Sequence, residues 1–386
     1  MLGKQKIQLE PLLTAQPKMG PNEPCWCQSG RKWKKCHKDR DTLPRSNLFE
    51  LRANLEETFR KGYCSHPESP DACSGKIIRS HTIQRSGGLS AIAEDGHVMS
   101  ARGANSNLHK TKGKLAPQKT GIKSASTYNG FCGPHDTSLF RPIEAGVVSL
   151  TPNTAFLSLF RAVAYEHFAK RAELAFSDEM RKADAGRSLY EQADWQNYVA
   201  DWQTGIRVAL DEIGTVKGDL DRRFLQEDFG GISAQETTFS GVLPIAVSCA
   251  FHPEFDMQGH RLQSLTHLDL EYVTLGTSVR DGRSVVTFAW LGDSKSAGAQ
   301  LAASFRALAP KDKATALATL CFIHTENWHA RPSWWEALTE DQKEGIHRLM
   351  RKGMPDPDGE RVGTDYRIQA APVRLEIPVS SEEVLP

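Results

Sequence analysis

The sequence predicts a multidomain α+β chain: two small elements built on clustered cysteine and histidine, followed by a larger domain of mixed helices and antiparallel strands. Three observations carry this expectation. At 386 residues the chain is long enough for two or three folded units, each with its own core. Six of its 8 cysteines fall between positions 25 and 132, in two groups of three with a histidine beside each. Past Ile143, helical periodicity gives way to period-two runs and then returns.

Hydrophobic residues make up 39% and charged residues 25% of the chain, the balance of a folded protein rather than a disordered one. The formal net charge of +1 conceals an asymmetry. Residues 1–143 hold 23 Lys and Arg against 12 Asp and Glu, whereas the remainder holds 25 against 35. A polyanion such as nucleic acid is therefore expected to meet the front of the chain. The N-terminus lacks the apolar run of about 7–15 residues that a secretory signal needs. The longest apolar stretch, residues 242–251, contains Pro244 and Ser248 and is too short to cross a bilayer. A cytoplasmic protein without a membrane partner is expected, with clustered cysteines that bind metal rather than pair as disulfides. Cys249 and Cys321 sit in apolar sequence and are expected to be inert core residues.

In chain order, residues 1–20 read as a flexible leader, discouraged from regular structure by Pro11 and Pro17. Residues 21–40 form the first cysteine element. Residues 47–144 form the second module, opened by an amphipathic helix over 47–61 with Leu48, Leu51, Leu55 and Phe59 on one stripe. The Lys-, Gly- and Asn-rich segment 100–120 reads as a loop or basic hairpin. The α+β domain spans 150–380. Thr154 is expected to cap a helix over 154–175, and a second helix covers 192–213. Strands follow at 242–251, 268–275 and 284–291, the last two joined through Asp281-Gly282. Helices at 297–308, 314–326 and 340–352 close the chain. Trp334 and Trp335 are expected to anchor a helix start in the core. No motif assigns this domain a role beyond sensing or oligomerisation.

The first element places Cys25 and Cys27 one residue apart, with Cys36 and His37 eight residues later. Four soft ligands on a tight turn meet the tetrahedral demand of Zn²⁺, and so short a segment cannot fold on apolar burial alone. With four protein ligands the ion is structural. The run Cys-Trp-Cys-Gln-Ser-Gly with interleaved lysines resembles the SEC-C motif. That resemblance implies a small docking module for a protein partner, with the lysines, Trp26 and Trp33 as its contact surface.

The second module offers Cys64 and Cys73, then Cys132 and His135 some sixty residues on, a second structural Zn²⁺ set that clamps the ends of an insertion. Inside it an apolar strand ends in Ser80-His81, and Asn129 precedes Cys132. This order resembles the HNH, or ββα-metal, nucleases, which implies a ββα-metal-like module. By that resemblance His81 takes the place of the general base that activates water, Asn129 that of the Asn that steadies the loop, and Asp136 that of a His that binds catalytic Mg²⁺ or Mn²⁺. His97 reads as a surface residue in a turn. Lys110, Lys112, Lys114, Lys119 and Lys123 suit contact with a phosphate backbone.

The expected function is thus a metal-dependent HNH-like endonuclease that hydrolyses nucleic-acid phosphodiesters, DNA in the first instance, in defence against foreign DNA. Its rival is a non-catalytic zinc-binding adapter that docks on nucleic acid, ribosome or a protein partner.

Overall fold

Capping chemistry and one tight turn set several of the element boundaries. The computed structural model describes residues 11–101, 116–144, 149–264, 266–351, 369 and 371–385. In chain order these contain α1 (Leu48–Arg60), β1 (Ile77–His81), α2 (Ser90–Ile92), β2 (His97–Ser100), β3 (Gln118–Gly121), β4 (Thr127–Cys132) and α3 (Gly133–Glu144). Next come the long helices α4 (Pro152–Met180) and α5 (Leu189–Leu225), then β5 (Ile232–Phe239), β6 (Ile245–Phe251), β7 (Val273–Arg280) and β8 (Arg283–Leu291). The remainder is α6 (Ala297–Arg306), α7 (Lys313–His324), β9 (Trp328–Ala330), α8 (Pro332–Glu336), α9 (Glu340–Met350) and β10 (Val379–Leu385). Mixed helix and antiparallel sheet is thus the architecture. Among the described residues no helix is long and apolar enough to cross a membrane.

Two compact units divide the chain, one made of Met1–Lys61 with His167–Thr215, the other of Gly62–Glu166 with Val216–Pro386. They interleave in sequence where consecutive domains were expected, because α4 and α5 each contribute to both.

In the first unit a polar seam joins α4 to α5. Gln192, Gln196 and Gln203 are all buried. Arg181 donates to Gln203 and Gln196 at 2.8 and 3.0 Å, and Trp195 Nε1 donates to the Met180 carbonyl at 2.7 Å. Helix α5 starts three residues ahead of the expected 192. Ser188 and Glu191 form the reciprocal bonds of a capping box there, Glu191 N to Ser188 Oγ at 3.4 Å and Ser188 N to Glu191 Oε2 at 2.8 Å.

The second unit holds an eight-stranded sheet, all of it antiparallel, in the order β10-β5-β8-β7-β6-β9-β2-β3. A separate pair, β1 with β4, is antiparallel too. Asp281 and Gly282 both take positive φ, 48° and 70°, which is the two-residue turn that matches strand twist, so Arg280 faces Arg283. That register moves β7 to 273–280, downstream of the expected 268–275. One face of the sheet supplies Val247, Leu275, Phe288 and Trp290 to a core completed by Leu301 and Phe305 of α6, Leu317 and Phe322 of α7, and Ile346 of α9. Each such side chain contributes roughly 1.5–3 kcal/mol on burial. Trp335 joins this core, as expected of an anchor. At the start of α4 it is Thr151, not Thr154, that caps: Thr154 N donates to Thr151 Oγ1 at 3.2 Å with Pro152 in the first helical position.

Candidate metal centres

The first centre is built almost wholly from a short local segment. Cys25 N donates to the Arg31 carbonyl at 2.9 Å and Gln28 N to the Cys25 carbonyl at 3.0 Å, with Gln28 at φ 57° and Gly30 at φ 71°. Those positive φ values turn the chain back tightly enough for Cys25 and Cys27 to face the Cys36-His37 pair. The Cys25 sulfur lies 3.2 Å from His37 Nδ1, the Cys36 sulfur 3.3 Å from the same atom, and Cys27 and Cys36 are 3.6 Å apart. A tetrahedral zinc sets its sulfur and nitrogen donors roughly 3.5–3.8 Å from one another. Donor chemistry and spacing both fit Zn²⁺, with His37 Nδ1 as the nitrogen ligand.

Asp184, which lies far away in sequence, completes the site. Its fully buried carboxylate accepts from His37 Nε2 at 2.7 Å, from Arg40 Nε at 2.5 Å and from Gln196 Nε2 at 2.7 Å. A carboxylate behind the far ring nitrogen fixes the tautomer of a ligating histidine and raises its basicity. Without metal, burial opposes the charged form of His37, yet Asp184 and Cys27 outweigh it and carry the imidazole up to about 10. The Cys27 thiol is held down to about 3, above all by Cys36, whose own thiol Cys27 pushes up. An anionic sulfur is therefore favoured in the fold itself.

Trp26 is buried rather than part of an exposed contact surface, and Trp33 is exposed only in part. Trp26 is 7% exposed and packs with Leu13, Cys25 and Cys27, while half-buried Trp33, with Leu189, Ala193 and Ala200, borders the same cluster. The indoles shield the sulfurs from water, a role that exposure guessed from sequence missed.

The second centre is assembled over distance. Cys132 ends β4 and His135 lies in the first turn of α3, so a strand-to-helix junction presents both. The loop bearing Cys64 is stitched to β4 by Tyr63 N to the Asn129 carbonyl at 3.1 Å and Ser65 N to the Gly130 carbonyl at 2.8 Å. Cys64 and Cys73 lie 3.4 and 3.7 Å from His135 Nδ1, and the ligand atoms of Cys64, Cys73, Cys132 and His135 all fall within 4.8 Å of one another. This set fits Zn²⁺ as well as the first. Burial above all pushes the Cys64 thiol up to about 11.

His66, which the motif pattern did not mark, stacks on His135 with ring centroids 3.9 Å apart and planes 11° apart, and meets Phe224 edge-on. Burial first, then His135, drives its pKa down to about 4, so it is a neutral wall behind the ligand. The ammonium of buried Lys217 donates to the Ser65 carbonyl at 2.9 Å, pairs with Asp221 and sits 4.6 Å over the Phe160 ring, pinning the ligand loop from α5.

His81 ends β1, and its Nε2 lies 3.1 Å from the Ile122 carbonyl, which can only accept; the proton therefore sits on Nε2 and Nδ1 keeps its lone pair. Burial lowers its pKa below the usual value. Asn129 lies in β4 and steadies the ligand loop through its carbonyl. Asp136 is in the first turn of α3; burial raises its pKa, and its Oδ1 is buried without a hydrogen-bond partner. Among the described residues three groups of His, Cys, Asp and Glu have the spacing to hold an ion: the two centres, and His66, Glu68 and His135. His81 and Asp136 belong to none. Asp136 alone therefore offers an incomplete protein ligand set for Mg²⁺ or Mn²⁺.

Lys119 on β3 and Lys123 beyond it are exposed, whereas Lys110, Lys112 and Lys114 lie outside the described residues. His97 is exposed, with Nδ1 2.7 Å from the Asp95 carbonyl. Burial pushes the thiols of Cys249 and Cys321 up, as befits unreactive core residues.

Comparison with known proteins agrees with the first centre. The SEC-C motif family matches residues 22–39, the segment that carries Cys25, Cys27, Cys36 and His37. No curated protein and no solved structure matches the chain.

Proposed function

We propose that the chain is an HNH-like phosphodiesterase acting on nucleic acid, whose β1, β4 and α3 are held by the second zinc. The observation that carries this reading is the state of His81. Its Nε2–H is committed to the Ile122 carbonyl, and burial keeps the ring neutral near pH 7. Nδ1 is left as a base for a water attacking phosphorus. The P–O bond to water oxygen forms as the bond to the leaving nucleoside oxygen breaks, the water proton goes to Nδ1, and the leaving oxygen takes a proton from solvent. Asp136 would contribute one carboxylate to a divalent cation that neutralises phosphate charge, a mode Mg²⁺ tolerates because it retains water and phosphate ligands.

Incubation of purified protein with plasmid DNA and Mg²⁺ or Mn²⁺ tests the proposal. Nicking is expected, and it is lost in His81→Ala with both zincs retained. Because the base form is needed and burial lowers the His81 pKa, the rate should hold as pH falls through 6.5 and drop only in more acid solution. A second reading is favoured by the closed zinc sets and the missing partner ligands at Asp136: a non-catalytic adapter using zinc only as scaffold. Intact two-zinc protein that binds nucleic acid but never nicks DNA or RNA supports it.

A further inference from the structure

We infer that the outer face of the first zinc centre is a rigid docking surface for the phosphate backbone of duplex nucleic acid. This deepens the nucleic-acid reading above by naming where the partner is held, and it concerns binding rather than cleavage. Arg31, Lys32, Lys34, Lys35 and Lys38 are all exposed. Among the described residues the first four make no ion pair, and Lys38 reaches only Asp39, at 4.0 Å between two exposed groups. The exposed acids beside them are fewer, Glu23, Asp39 and Asp41, with Glu23 accepting from Gly20 N at 2.9 Å, while Asp184 is buried behind His37. The zinc does not cancel this charge, because Zn²⁺ with three thiolates carries about one negative charge against five cations.

The segment is also preorganised. Trp33 N donates to the Glu23 carbonyl at 2.8 Å, Lys34 N to the Pro21 carbonyl at 3.1 Å, Lys35 N to the Lys32 carbonyl at 2.9 Å and Lys38 N to the Trp33 carbonyl at 3.1 Å. The cation-bearing backbone is thus fixed before any partner arrives, which lowers the ordering cost of binding. The choice of occupant follows from the aromatics. Single-stranded nucleic acid is held by bases stacked on exposed rings, and here Trp26 is buried and Trp33 is half-buried at the edge of the same cluster. The fully exposed side chains are the cations rather than the rings, which suits backbone contact that ignores sequence.

The test is fluorescence anisotropy of a short labelled DNA duplex, titrated with the full chain across salt. Each neutralised phosphate adds about 0.9 to the slope of log K against log salt. Five contacts predict an affinity loss of roughly 500-fold between about 50 and 200 mM salt. The exposed triple variant Lys32→Ala, Lys34→Ala, Lys35→Ala should lose only about twelvefold over that range while keeping both zincs. Lys295→Ala with Lys311→Ala, exposed cations far along the chain, should leave the slope unchanged. The inference is overturned if the duplex does not bind at low salt, or if the triple variant keeps the wild-type slope. An equal fall in slope in the Lys295 and Lys311 variant, or competition by polyglutamate as effective as that by unlabelled duplex, overturns it too. None of these outcomes depends on nicking, so the surface and the hydrolytic site fail separately.

Discussion

The two candidate metal centres use the same donor set, three cysteines and one histidine, yet they are built in opposite ways. In the first, all four ligands lie between Cys25 and His37, and positive-φ residues bend the segment so that the ligands converge. Its support from afar is polar: the Asp184 carboxylate collects His37, Arg40 and Gln196. In the second, the ligands span Cys64 to His135, and convergence requires that β1 pair with β4 and that α3 begin at Gly133. Its support is a stacked ring, His66, and a pinned loop. A local site can form as soon as metal arrives, whereas a distributed one needs the surrounding fold before its ligands meet, because closing a long loop costs entropy. The first centre should therefore report on its own segment and the second on its unit.

The sharpest way to break this comparison is to remove one sulfur from each centre. Cys132 has no exposure and sits at the β4–α3 junction. Cys132→Ser should lose one zinc and expose the amides of β1, β4 and α3 to hydrogen exchange, since structural zinc contributes about 10–16 kcal/mol of apparent binding free energy in small zinc domains. Cys27→Ser should also lose one zinc but leave exchange in β5 to β8 unchanged. If the two variants show the reverse pattern, the contrast between local and distributed construction is wrong.

The next effect in size is at Asp184. Asp184→Ala leaves buried His37 and Gln196 and half-buried Arg40 without their acceptor and should cost about 3–5 kcal/mol. Chelator competition should show zinc held roughly 10–100-fold more weakly at the first centre only. Equal weakening at both centres would mean that Asp184 acts through global stability instead. The smallest effect is expected at His66, which touches a ligand but need not bind metal. His66→Ala should lower stability by about 0.5–1.5 kcal/mol in urea unfolding, with both zincs retained. Loss of a zinc there would make His66 a ligand rather than a wall.

The local centre was legible because its ligand spacing is short and its chemistry is carried by residue type. The two Cys/His quartets that the fold brings together were readable as groups, as were the Asp281-Gly282 turn and the helices whose apolar stripes face the sheet. What stayed hidden depends on tertiary context. Asp184 lies in an unremarkable Lys-Ala-Asp-Ala run, and only the fold brings it to His37. Strand β5 reads as polar because Gln235, Glu236 and Thr237 are buried against partners, Glu236 by a bidentate Arg280 at 2.9 Å for both bonds. The inward turn of Trp26 could not be seen from a motif that marks only its neighbours. The long α5 extends to Leu225, well past the expected 213, since its distal turns gain packing that periodicity alone does not reveal, Leu220 being fully buried.

The central claim is that both cysteine-histidine clusters are closed zinc centres. Zinc measured by plasma mass spectrometry on the purified full chain, with Cys27→Ser and Cys132→Ser alongside, tests it most directly. The account predicts two zincs per chain, as two four-ligand sets require, falling to one in either variant. A single zinc in the wild-type chain, or two retained in either variant, would contradict it.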